Sequence, residues 1–259
     1  MARGGWRALA GGTDLYPGAG DRLTGPILDV TGIAGMCGIS WEQGLRIGAA
    51  TTWSEIAAAD LPPAVHAVQQ AARLVGGRQV QNAGTIGGNL CNASPAADGV
   101  PPLLALGAEV ELASTAGMRR LPLSRFLLAP RRTDLRDGEL LVAIILPDRG
   151  LAGRSAFVKL GARSHLVISI AMVAARLVVD NGRVVEAAVA VGSCSPVAVR
   201  LAAVEAALQG VLVEDAVDRV KTGDVQAALT PIDDVRASAA YRLEAAVTLA
   251  KRAVVEALK

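Results

Sequence analysis

The chain has 259 residues, of which 52% are hydrophobic and 19% charged, which is enough apolar material for one or two globular domains and excludes a disordered chain. A net charge of +2, 3% aromatic residues and no basic run with interleaved aromatics argue against a nucleic-acid partner. Three well-separated cysteines and two histidines argue against a disulfide framework and against a zinc or iron–sulfur centre built by this chain alone; with no apolar run long enough to span a membrane, a reducing cytoplasmic setting is expected.

In chain order, residues 6–10 read as a short buried strand running into Gly11-Gly12-Thr13-Asp14, and residues 26–30 as another. Residues 38–41 and 45–49 resemble a hairpin around Glu42-Gln43-Gly44. Thr52 and Glu55 have capping-box spacing and start a helix through Ala59. Pro62 and Pro63 open a second helix whose Val65, Val68, Ala72 and Val75 share a face, closed by Gly76-Gly77. It delivers the chain to residues 79–98, QVQNAGTIGGNLCNASPAAD. There Gly84, Gly87 and Gly88 are expected to turn their N–H groups toward a closely approaching phosphate, while Asn89, Asn92, Ser94 and Asp98 offer side-chain partners. The bland alternative is an ordinary Gly/Asn/Ser/Pro loop.

Residues 101–106 should be helical and closed by Gly107, Val110 and Leu112 begin an alternating strand paired with residues 119–121, and residues 140–146 form a β-rich run stopped by Pro147. The polar Asp148-Arg149-Gly150 marks a boundary between a first unit over residues 1–152 and a second over 153–259. In the second unit, residues 157–160, 168–179 and 184–191 read as strands, the last two joined by Asp180-Asn181-Gly182, the strongest hairpin signal in the chain. Pro196 starts a helix ending at Gly210, and Asp233 or Asp234 caps a long one with Leu243, Val247 and Val254 on its apolar stripe. Such a unit is a small antiparallel sheet backed by helices.

Gly11-Gly12 and Gly87-Gly88 each follow apolar segments, so two glycine loops could grip one diphosphate from both sides. Neither matches G-x-G-x-x-G or G-x-x-x-x-G-K-[ST], which disfavours a Rossmann domain or a P-loop NTPase. Cys194 has no local base and no G-x-S-x-G context for a nucleophile. His66 reads as a surface or packed histidine, and His165 neighbours Arg163 and Lys159 in a loop. Asp98 stands open between a general base and a helix N-cap.

Residues 8–18, ALAGGTDLYPG, and 82–98, NAGTIGGNLCNASPAAD, resemble the two flavin-binding motifs of the FAD-binding medium subunit of molybdenum hydroxylases, the group of the carbon monoxide and xanthine dehydrogenases. Weaker similarity at 131–147, 156–169, 191–200 and 233–242 extends the resemblance over nearly the whole chain. It implies an α+β fold, with a two-lobed FAD-binding domain of the vanillyl-alcohol oxidase and para-cresol methylhydroxylase type followed by a C-terminal domain of antiparallel sheet and helices. It also implies that Ala8, Leu9, Ala10, Gly11, Gly12, Thr13, Asp14 and Leu15 wrap the FAD pyrophosphate, Gly11 to Thr13 through main-chain donors. Thr85, Ile86, Gly87, Gly88 and Asn89 would form the second grip, Asp98 a polar anchor, Val75 a contact of the isoalloxazine ring and Leu141 a further cofactor contact. Lys159 would reach the flavin from the second domain.

The chain departs from the family pattern in two places. Met1 precedes Ala8 by less than the family's usual strand and helix, so either an incomplete N-terminal lobe or a misassigned start codon is expected, and Val167 stands where relatives often carry an aspartate. The cysteine-bearing insertion of the benzoyl-CoA reductase branch is missing from the sequence. The resemblance implies an electron-transfer flavoprotein subunit: a large molybdenum-cofactor partner oxidises the substrate, a small iron–sulfur partner relays electrons, and FAD in this chain passes them to an external acceptor. The rivals are a standalone FAD-dependent oxidoreductase of the same fold and a scaffold that has lost its flavin; two intact glycine motifs argue against the latter.

Overall fold

The computed structural model describes residues 5–20, 23–42 and 44–259. The chain opens with β1 (Arg7–Leu9) and β2 (Ile27–Asp29), which pair in parallel as a small sheet of their own. β3 (Ile39–Glu42) and β4 (Gly44–Gly48) form the expected hairpin; its turn residue Gln43 lies outside the described residues. Then come α1 (Trp53–Ala58), α2 (His66–Leu74), α3 (Arg78–Ala83), α4 (Ile86–Asn92) and α5 (Val100–Ala105). The capping box at the head of α1 is complete, with Thr52 N donating to Glu55 Oε2 at 2.7 Å and Glu55 N to Thr52 Oγ1 at 3.3 Å.

The strands that follow are β5 (Glu109–Ser114) and β6 (Gly117–Pro122), then α6 (Leu123–Phe126), β7 (Leu127–Ala129), β8 (Arg132–Thr133) and β9 (Leu140–Leu146). Of these, β5, β6 and β9 complete a five-stranded sheet ordered β3-β4-β9-β5-β6, antiparallel at every pairing, while β7 and β8 pair with each other. Trp53, Ile56, Val68, Leu90 and Leu103 from the helices pack with Ile47, Val110 and Ile144 of this sheet in one buried cluster.

The rest of the chain forms a second sheet, β10 (Arg154–Leu160), β11 (Ala171–Asp180), β12 (Arg183–Gly192) and β13 (Val199–Arg200), followed by α7 (Ala202–Leu208), α8 (Thr222–Gln226) and α9 (Ala239–Ala257). Asn181 at φ +48 and Gly182 at φ +73 turn β11 into β12, the left-handed pair that a tight two-residue hairpin requires. The sheet is covered on both faces, which explains why β11 reads as a continuous apolar run rather than an alternating one. Val173, Ala175 and Leu177 pack with Ala246, Ala250 and Val254 of α9, while Met172 and Ala174 pack with Ala67 and Ala71 of α2 and Ala105 of α5.

Three sequence expectations are corrected. Residues 79–92 are not a loop but form most of α3 and all of α4, with Ala93 at φ +46 ending the second helix; only residues 93–98 run on as turns. The helix expected from Pro196 begins at Ala202, because Val199 and Arg200 first pair with Val191 and Ala190, and Leu201 N donates to Val189 O at 2.8 Å. The long C-terminal helix is capped by Ser238, whose Oγ accepts from Tyr241 N at 3.2 Å. The acidic pair still serves it from outside: Asp233 accepts from Ala239 N at 2.6 Å, and Asp234 accepts from Arg242 at 2.7 Å. No helix among the described residues is long and apolar enough to cross a membrane.

Candidate functional site

A cavity of about 480 Å³ lies where the segment after β1 meets the start of α4 and the head of β9. Ala8, Ala10, Gly11, Gly12, Thr13, Asp14 and Leu15 form its first wall. Gly12, at φ +69, turns the chain so that Tyr16 N donates to Gly12 O at 2.9 Å. Gly11 lies so close to the end of α3 that a Cβ on it would stand 1.8 Å from Ala83 O. The N–H groups from Gly11 to Leu15 meet no acceptor among the described residues, leaving a row of backbone donors for an anionic ligand.

Thr85, Gly87, Gly88 and Asn89 form the second wall, at the start of α4. Here the expectation of free glycine donors is corrected, because the protein itself uses them. Gly84 N donates to Val80 O at 2.6 Å, Gly87 N to Ala49 O at 2.8 Å and Gly88 N to the capping Thr85 Oγ1 at 3.1 Å. Gly87 instead permits close approach: a Cβ there would lie 2.6 Å from both the Cβ and the O of Ala49. Asn89 contributes the polar chemistry of this wall, with an Oδ1 that is buried and has no hydrogen-bond partner among the described residues.

Val75 and Leu141 of the sequence-derived set also line the cavity. Four others do not. Ile86 is fully buried in the core, and Leu9 tucks beneath the glycine turn, its Cδ1 3.3 Å from the point a Gly12 Cβ would occupy. Asp98 and Lys159 are brought together, but with each other: Lys159 Nζ donates to Asp98 Oδ2 at 2.5 Å and to Leu74 O at 3.4 Å, and Ser169 Oγ donates to Asp98 Oδ1 at 2.6 Å. This buried trio, bonded through Lys159 to the carbonyl of Leu74 next to Val75, joins β10 to the head of α5. Burial pushes the Asp98 carboxyl above its ordinary range, against the opposing pull of Lys159 and Ser169. Asp98 makes no N-cap bond, since α5 is capped by Gly99 without a side-chain partner.

Motif reasoning missed Met36, Trp53, Val80, Leu135 and Leu140, which also line the cavity. Trp53 carried a usable signal, as the large apolar residue directly after the Thr52 cap; Met36 and Leu135 lie in irregular segments and carried none. Cys194 is fully buried, its thiol pushed up to about 11 chiefly by burial, and so is not poised as a nucleophile. His66 and His165 are both exposed and line no wall of the cavity.

The family model for the FAD binding domain in molybdopterin dehydrogenase matches residues 2–149, and that for the CO dehydrogenase flavoprotein C-terminal domain matches residues 156–257. The chain belongs to this flavoprotein family. A putative xanthine dehydrogenase FAD-binding subunit of Escherichia coli is 31% identical over 260 residues, covering 97% of this chain and 88% of the relative. The carbon monoxide dehydrogenase medium chain of Afipia carboxidovorans is 31% identical over 257 residues, covering 96% and 87%. Among solved structures, a carbon monoxide dehydrogenase from Hydrogenophaga pseudoflava superposes with a TM-score of 0.89 at 29% identity, covering 98% of this chain and 89% of that one. The fold is thus that of the FAD-binding subunits of molybdenum hydroxylase-type oxidoreductases, and FAD is the cofactor of the family.

The residues present fit that cofactor on structural grounds. A row of backbone donors that meet no acceptor among the described residues suits a pyrophosphate, the glycines let the two chain segments close on one another around the cavity, and a buried carboxamide oxygen of Asn89 is left without a partner beside it. The apolar side chains opposite, Val75, Leu135 and Leu141, suit a flat ring system.

Proposed function

We propose that this chain is the electron-transfer flavoprotein subunit of a molybdenum hydroxylase, holding FAD between an iron–sulfur partner and an external acceptor. The observation that carries the reading is the convergence of two glycine-bearing segments, distant in sequence, on one cavity, with the donors of the first segment unused. Bound FAD would supply the step between one-electron carriers and a two-electron acceptor. The N–H groups of Gly11 to Leu15 would hold the pyrophosphate; Thr85, Gly87, Gly88 and Asn89 would close the opposite side; Val75 and Leu141 would pack against the ring. Asp98 and Lys159 act from behind the wall, by fixing the segment that carries Val75.

On this reading residues 1–152 form the FAD domain and residues 153–259 the C-terminal domain. The partners are a large molybdenum-cofactor subunit and a small iron–sulfur subunit, in a cytoplasmic setting where Cys37, Cys91 and Cys194 remain unpaired. The test is purification of the chain with the products of its neighbouring genes. Near-stoichiometric FAD and two further metal-bearing polypeptides are expected, with flavin reduction on adding the partner's substrate without oxygen. A flavin that is taken up but reduced without any partner would favour the standalone oxidoreductase; a folded chain that takes up no FAD would end the assignment.

A further inference from the structure

We propose that Arg119 is a positioning residue for the cofactor: its guanidinium closes the irregular segment 134–139, which carries Leu135 into the cavity wall and leads into Leu140 of the same wall. This rests on FAD occupying the cavity. Arg119 lies in β6, the edge strand of the first sheet, and lines no wall itself. Its side chain makes four hydrogen bonds, all to the two ends of that segment. Nε donates to Glu139 Oε1 at 2.7 Å and Nη2 to Glu139 Oε2 at 2.8 Å, a fork on one carboxylate. At the other end Nη1 donates to Asp134 Oδ2 at 2.8 Å, and Nη2 also to Asp134 O at 2.6 Å.

Inside the segment, Arg136 N donates to Glu139 Oε2 at 2.9 Å and Glu139 N to Arg136 O at 3.0 Å. The hydrogen bonds from Arg119 hold the Glu139 carboxyl below its ordinary range, against its desolvation. Leu135 to Gly138 make no hydrogen bond beyond residues 133–139 among the described residues, so Leu135 has no polar anchor of its own. Its place depends on the grip at Asp134 and Glu139. Leu135 and Leu140 are half-buried, packed on the core of the first domain at one side and bordering the cavity at the other. With the fork gone, the segment gains freedom and the apolar side of the cavity loses its fixed shape. The neighbouring Arg120 makes a contrast: its Nη2 lies 2.7 Å from Glu111 Oε2, and neither residue borders the cavity.

The test is titration of the flavin-stripped chain with FAD, with thermal unfolding measured alongside, for wild type, Arg119→Met, Leu135→Ala and the double variant. Each single change should weaken Kd about tenfold, the size of one apolar side chain's contact. The double variant should be little weaker than either single, because Arg119 acts through Leu135. Arg119→Lys, which keeps the charge but not the fork, should recover part of the loss. Arg120→Met removes the same charge from the same strand and should bind FAD as wild type does. Wild-type affinity in Arg119→Met, whatever its melting temperature, would overturn the proposal and leave the fork a structural contact only. A loss near a hundredfold in the double variant, or an equal loss in Arg120→Met, would overturn it too. Failure of wild type to take up FAD would instead strike the functional reading itself. Should Arg119→Met not fold, Glu139→Gln, which weakens the fork from its other side, takes its place in the same cycle with the same expected and refuting results.

Discussion

Gly11→Ala tests the meeting of the two glycine segments most directly. The added Cβ would stand 1.8 Å from Ala83 O, 2.5 Å from Ala83 C and 2.8 Å from Gly84 Cα, all backbone atoms that no rotamer change can move aside. Ordinary contact begins near 3.4 Å, so the segments must part by about 1.5 Å. Gly84 cannot follow freely, because its carbonyl accepts from Trp53 N at 3.1 Å. The displacement falls on the N–H groups that would hold the pyrophosphate, and losing two charge-assisted bonds at about 1.5–3 kcal/mol each weakens Kd by roughly two to four decades. The overpacking itself should cost about 1–3 kcal/mol of stability, which leaves a folded protein to assay. Quenching of free FAD fluorescence on binding reads the affinity, with thermal unfolding measured alongside. Gly18→Ala is the control, since its Cβ would make only ordinary contacts, 3.4 Å from Asp14 O and 3.9 Å from Leu15 O. A folded Gly11→Ala protein that binds FAD within a few-fold of wild type would refute the argument.

Lys159→Met should leave Asp98 buried without its cation and cost about 3–5 kcal/mol in urea unfolding, while Ser169→Ala, which removes one donor, should cost about 1–3 kcal/mol; a loss below about 1 kcal/mol in Lys159→Met would show that the trio is not a joint. At Asp234, burial raises the carboxyl, but the backbone and side chain of Arg236 and the guanidinium of Arg242 outweigh it and hold the group at about 2, below its usual 3.8. The unfolded chain therefore binds the proton more readily, so the stabilisation is complete above about 4 and is lost as pH falls through about 2. The stability gap between wild type and Asp234→Asn should close over that window in acid unfolding followed by circular dichroism, and a gap independent of pH would contradict it. Ser238→Ala should lower stability by about 1 kcal/mol through loss of the α9 cap, read as a fall in melting temperature; no change would return the capping role to Asp233 alone.

The sequence was most legible where one local rule decides the structure. Thr52 and Glu55 gave the first helix start, and Asn181-Gly182 gave the long hairpin, because a capping box and a left-handed turn are completed by neighbours in the chain. It was less legible where distant contacts compete with a local preference. Gly87 looked like a free donor, yet its N–H is claimed by Ala49 once α4 docks on the end of β4, while Gly84 and Gly88 are claimed locally by the C-cap of α3 and the N-cap of α4. Val199 and Arg200 lie in a helix-like stretch but are drawn into the second sheet by Val191 and Ala190. Met36 and Leu135 line the cavity only because elements far apart in the chain place them there, and no spacing within the sequence encodes that.

Those engaged donors change how the cavity must work. With the glycines of α4 bonded inward, the second segment contributes shape, by letting backbone pass close to backbone at Ala49, while the first segment contributes the open hydrogen-bond donors. Substitutions in the two walls should therefore fail differently. A change at Gly87 acts on the packing of α4 against β4 and should lower stability together with affinity, whereas a change confined to residues 13–15 should lower affinity with little effect on stability, because the N–H groups it displaces meet no acceptor among the described residues. The same logic assigns Asp98 and Lys159 to the joint rather than the wall: their charges are spent on one another at 2.5 Å, and what reaches the cavity is the position of Val75, next to the Leu74 carbonyl that accepts from Lys159.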